Sequence, residues 1–204
     1  MTTATPDIVD VLVGVSEGDA LDLLRRRRPV TREQLQASHD ALFAPIDDSD
    51  FALAERLLVA AFATRATADD ETAAYYADAA TAADPERAAT VLAEASASAT
   101  AGPFGTYAEA GLQPESTDGR RYEPGIAARD ALGEHLTAAI THAHLLTARP
   151  READGAAQAR LLDAGWTADG IVTLSQLVSF LAFQQRVAAG LRVLSTRTPS
   201  EVSA

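Results

Sequence analysis

From Ala168 to about Leu194 the chain reads as a helix that is apolar on almost every side. Ile171, Val172, Leu174, Leu177, Val178, Phe180, Leu181, Phe183, Val187 and Leu191 leave little face for water. Such a helix has to be covered, by the core of its own chain or by a neighbouring subunit. A bilayer is a poor cover, because Gln176, Gln184, Gln185, Arg186 and Arg192 interrupt the apolar surface and are costly in hydrocarbon. Thr167 stands where an N-cap belongs. Gln176, Ser179, Phe183, Arg186 and Gly190 recur at alternating spacings of three and four. One side of the helix therefore carries a mixed stripe, suited to a hydrogen-bonded seam or to the wall of a site.

The rest of the chain repeats the helical pattern, and no segment alternates as a strand does. Ser16 to Arg28 reads as a first helix with Ser16 as cap. Thr31-Arg-Glu-Gln34 resembles a capping box that opens a second helix ending near Pro45. Further helices are expected from Phe51 to Ala66, from Asp69 to Pro85, and from Glu86 to about Ala95. Residues 96–125 are rich in Gly, Pro, Ser and Thr and read as a long connection, with Phe104, Tyr107 and Tyr122 available for burial. Helices follow from Ala127 to Ala148, broken by Pro150, and from Glu152 to Ala164, with Gly165 at a left-handed C-cap position. The expected organisation is one structural domain with an N-terminal helical half (1–95), an irregular connection (96–125) and a C-terminal half (126–204).

Composition narrows the chemistry. The charged residues are 17 arginines, no lysine and 29 acids, for a formal charge of −12, and there is no cysteine. Thiol redox cycling, disulfides and thiolate metal sites are excluded, as are Schiff-base and phosphate-binding lysines. The acidic balance argues against nucleic acid. Arg25 to Arg28, stopped by Pro29, read as a solvated helix end that complements the helix dipole. The polar opening, Met1 to Asp10, has no signal-peptide core, so a cytoplasmic protein is expected.

Several segments resemble one family. Leu161-Leu-Asp-Ala-Gly-Trp166 and the helix that follows, to Gly190, look like the closing helix–turn–helix of the alkylhydroperoxidase D (AhpD)-like / carboxymuconolactone decarboxylase (CMD) superfamily. Leu53-Ala-Glu-Arg-Leu-Leu-Val-Ala-Ala-Phe62 resembles the first helix of its core motif. Asp10-Val-Leu-Val-Gly14, the Arg-Arg-Pro29 turn and Leu145-Leu-Thr-Ala-Arg-Pro-Arg-Glu-Ala153 are similar to its "CMD domain protein" branch. The resemblance implies an all-α, AhpD-like multi-helix fold in two related halves. It also implies obligate homo-oligomers (dimers, trimers or hexamers) with sites near subunit contacts. The peroxidase members use Glu-x11-Cys-x2-Cys-x3-His; laid from Glu55, that spacing falls on Thr67, Asp70 and Ala74. Only the glutamate remains.

Two functions fit this pattern. One is a non-catalytic oligomeric protein or a partner of a cysteine-bearing relative. The other is a cofactor-free acid–base enzyme acting on a small organic acid or lactone, which needs a proton donor or acceptor beside the substrate carboxylate. For the second, Glu55, His142 and His144 are the catalytic candidates, with His39 and His135 behind them. Arg186, Gln176, Tyr75 and Trp166 are the candidate substrate contacts, with Arg149 as another anion clamp. No metal is expected, because His142-Ala-His144 spacing suits a strand rather than a helix.

Overall fold

Short acidic residues open most of the helices. In a computed structural model, which describes residues 6–196, Asp7, Asp19, Asp70, Asp84 and Asp154 each accept backbone N–H groups from a first helical turn. They start α1 (Ile8–Val13), α2 (Ala20–Arg26), α5 (Glu71–Ala83), α6 (Pro85–Ser98) and α8 (Gly155–Asp163). Thr167 caps α9 (Ala168–Ser195) by accepting from Gly170 N–H, and Gly165 (φ 90°) closes the preceding turn. The remaining helices are α3 (Pro29–Phe43), α4 (Leu53–Thr67) and α7 (Ile126–Ala148). Among the described residues there is no strand, only one isolated bridge between Gly105 and Thr117.

Several boundaries depart from the sequence reading. Ser16 does not cap a helix: its N–H donates to Asp19, the true cap, so the helix starts a turn later. The expected capping box at Thr31 is replaced by Pro29 at the first helical position, where its fixed φ suits the helix and no side chain caps it. The short α1 was not anticipated; six residues are too few to show a helical period. The last helix of the first half runs on to Ser98, so the irregular segment begins at 99. Residues 150–152 form a separate 3-10 turn. Inside α7, Gly133 adopts φ 74°, ψ 166° and kinks the helix, a conformation open to glycine at little cost.

The helix most surrounded by protein is α4, not α9. Every residue from Leu58 to Thr64 is buried, and α4 packs against α3, α5, α6, α7 and α9. Ala60, Ala61, Ala63 and Ala66 let those neighbours approach closely. One apolar core draws on both halves of the chain, from Ile8 to Ala188. In α9, Leu174, Leu177, Val178, Leu181 and Ala188 enter that core, whereas Val172, Phe183 and Val193 stay exposed. By length and composition α9 could also cross a membrane, but here it packs on α1, α3, α4 and α7.

The arginine run is only partly a solvated helix end. Arg25 is buried and pairs with Asp7 and Asp10, and Arg32 reaches Asp7, Asp10 and Asp22. Helices α1, α2 and α3 are thus joined by a charge network. Gly18 N–H, together with Arg32 and Arg26, holds the Asp22 carboxyl down at about 2.

The irregular segment is held down at several points. Arg149 bonds Glu152 through Nε and Nη2 (2.8 and 2.6 Å) and donates to Gly119 O (2.6 Å). Arg121 grips the same glutamate (2.6 and 3.1 Å). Phe104 lies so close to Gly119 that any Cβ there would fall 2.3 Å from its ring. Tyr122 packs on Phe62 and His144 and donates to Glu94 (2.7 Å).

Candidate functional site

Glu55, in the first turn of α4, points at α6 and α7. Its carboxylate accepts from Arg87 (3.2 Å) and lies 3.4 Å from His135 Nδ1. Arg87 is fixed in turn by Asp84 (2.7 Å). The His135 ring stacks on Trp166, with centroids 4.3 Å apart and planes 6° from parallel. Trp166 Nε1 donates to the backbone oxygen of His135 (3.0 Å), and Phe51 meets the indole edge-on. Two expected site residues, Glu55 and Trp166, therefore meet through a third, His135, which ranked behind its neighbours in the sequence. The side chain of His135 is 39% exposed, whereas Glu55 is 17% exposed. The contact is at ion-pair distance and is not a hydrogen bond; a small approach of the carboxylate to Nδ1 would orient the imidazole and leave Nε2 for proton exchange, as a general base requires.

His142 and His144 sit further along α7 and have other neighbours. His144 is buried against Tyr122, its Nε2 3.3 Å from Ser98 O. Burial pushes its pKa down, and Arg120 and Arg149 add to the effect. His142 is buried too and its pKa is likewise lowered, first by desolvation and then by Arg160. Neither shares a hydrogen bond with Glu55. Burial also lowers His39, which packs between Phe43 and Phe180.

The remaining candidates are dispersed. Arg186 is exposed and donates to Ala182 O on its own helix (2.9 Å). Gln176 is exposed on the wall of an open groove of about 1020 Å³ between the end of α3 and α9. Tyr75 is half-buried, edge-on to Tyr76 (5.1 Å, 89°), and burial raises its pKa. Arg149 is a clamp for the chain's own irregular segment. Gln176, Ser179, Phe183, Arg186 and Gly190 are all exposed, so the mixed stripe of α9 lies on the protein surface and not in the core.

Sequence reasoning passed over Arg87 and Asp84. A Glu55–Arg87 pair spans α4 and α6, and nothing in local spacing announces it. The same holds for Arg56, which is buried and donates to Phe51 O (2.7 Å) and Leu42 O (2.9 Å). No group of three or more His, Asp or Glu able to hold a metal ion occurs among the described residues. Compared with known protein families, curated proteins and solved structures, the chain matches none.

Proposed function

We propose that this chain is a thiol-free relative of the AhpD/CMD superfamily, a cytoplasmic protein that works as a non-catalytic oligomer or as the partner of a cysteine-bearing relative. The observation that carries this reading is the surface of α9. Its most apolar 18-residue stretch is only 33% buried within the chain. Val172, Phe183 and Val193 are 54%, 48% and 56% exposed; Phe183 belongs to the mixed stripe, and Val172 and Val193 extend it at the same helical spacing. Interleaved along one line with Gln176, Ser179 and Arg186, these apolar residues give the mixed composition of a subunit interface, with apolar anchors alternating with hydrogen-bonding groups. The interleaved polar groups fit a protein neighbour better than lipid.

The test is the solution mass by light scattering. The wild-type protein is expected at a multiple of its 21.4 kDa protomer, and Phe183→Glu is expected to shift it to the protomer mass with an unchanged helical spectrum. A wild-type protein that stays at the protomer mass, alone and with a cysteine-bearing relative, overturns the proposal.

The Glu55–His135 pair supports a second reading, a cofactor-free acid–base enzyme acting on a small organic acid or lactone. His135→Gln removes the base while keeping a ring-sized polar group beside Trp166. On a substrate that the wild type turns over, that variant is expected to lose about 100-fold or more in rate, the usual contribution of a general base. Equal rates for the two proteins exclude this reading.

A further inference from the structure

A second groove, of about 370 Å³, lies where α2, α3 and α9 meet. Its floor is apolar, formed by Leu24, Leu35, Val187 and Leu191. Four arginines line it and no carboxylate does. Two of the four are already neutralised, Arg25 by Asp7 and Asp10, and Arg32 by these and Asp22. The other two, Arg27 and Arg28, are exposed, and neither has a carboxylate partner among the described residues. Several other arginines also lack a carboxylate partner among the described residues, but Arg27 and Arg28 are adjacent and line one groove with an apolar floor.

The start of α3 adds to the same field. The helix begins at Pro29 with no side-chain cap, and the N–H groups of Val30 and Thr31 have no acceptor among the described residues. Thr31 itself lines the groove. The positive end of α3 therefore faces the same rim as Arg27 and Arg28.

We infer that this groove binds an apolar monocarboxylate, a medium-chain acyl acid with its chain on the Leu24–Leu35–Val187–Leu191 floor and its carboxylate at the Arg27–Arg28 rim. Each half of the site selects against simpler ligands. An inorganic anion leaves the floor wet, and an uncharged alcohol leaves both guanidinium groups unpaired. The volume lies at the lower end of the range for small-molecule sites, too small for a helix or a nucleic-acid strand. This binding does not depend on the oligomeric role proposed above.

Calorimetric titration of the full chain with hexanoate, octanoate and decanoate tests it, with octanol and acetate as comparisons. Octanoate is expected to bind once per protomer. Affinity is expected to rise by up to about fourfold per methylene, the factor that corresponds to burying one CH2 group. Acetate and octanol are expected to bind at least tenfold more weakly. Both arginines are exposed, so the double variant Arg27→Ala/Arg28→Ala is expected to keep its fold and solution mass. It is expected to bind octanoate roughly tenfold less well, the loss of two surface ion pairs. Octanol binding as tightly as octanoate, affinity independent of chain length, or an unaffected double variant each overturns the inference. The solution mass, read on the same samples, reports separately on the oligomer.

Discussion

Among single residues, Gln184 shows most clearly how a buried polar group can be satisfied on one side only. Its Oε1 accepts from Tyr76 O–H at 2.7 Å, but its Nε2 is buried with no partner. Burial raises the Tyr76 pKa, so the phenol remains a donor. Leaving a buried polar group unmatched costs about 1–3 kcal/mol. Gln184→Leu alone strands the Tyr76 hydroxyl, and Tyr76→Phe alone leaves the whole amide unpaired, so each is expected to destabilise by about that amount. The double variant removes every unmatched atom and is expected to lie within about 1 kcal/mol of wild type. Urea unfolding of the four proteins checks this, and a double variant as unstable as the sum of the singles would contradict it. The pairing was not readable in advance. Gln184 stood out only as an interruption of an apolar run, and 108 positions separate it from Tyr76. Glu55 was readable as a site candidate, from the resemblance of residues 53–62 to a family motif. Its histidine was not, because seven-residue spacing puts His135 and His142 on one face and only the tertiary fold decides which of them reaches α4.

Elements were easier to read than their surroundings. Thr167, Gly165 and Pro150 mark boundaries by local chemistry alone, and the structure keeps all three. Elsewhere the tertiary structure overrode local chemistry. Ser16 was the expected cap, but Asp19 holds the position, accepting from the N–H groups of both Ser16 and Asp22. Hydrophobicity pointed to α9 as a helix that the core or a neighbouring subunit must cover; within the chain, α4 is the more enclosed of the two. The reason is side-chain size: the alanines of α4 score low as apolar residues but admit five neighbouring helices, whereas the large residues of α9 spread over all its faces. The kink at Gly133 was equally hidden, since an isolated glycine in a helical pattern reads only as a weak position.

At the scale of the whole molecule, clamped carboxyls and buried histidines make stability depend on acid. Arg149, with Arg121, holds the Glu152 carboxyl down to about 2 from an ordinary 4.5. A depressed carboxyl stabilises the fold fully above its unfolded pKa, and that contribution disappears as the pH falls from about 4.5 to about 2. Burial depresses His39, His142 and His144. The unfolded chain then takes up protons more readily, so their contribution is complete above the ordinary value of 6.5 and declines below it. Stability is therefore expected to fall from near neutrality downward, in two stages. Glu152→Gln is expected to be less stable at neutral pH and to show a smaller second stage, the remainder coming from Asp22, which is also held down at about 2, as measured by urea unfolding across the pH range. Parallel pH curves for the variant and the wild type would show that the clamp carries no such linkage.

The same clamp gives the irregular segment a firm base and an open tip. Gly105 and Thr117 exchange two backbone hydrogen bonds (2.8 and 3.2 Å), so residues 106–116 start and end at one point, with Tyr107 packed under Arg151 and residues 108–115 exposed. Closing a longer loop on that base costs only about 0.6 kcal/mol per doubling of its length. The protein is in effect a display frame, in which an epitope or protease-sensitive reporter spliced between Gly105 and Thr117 would be presented on an anchored stem.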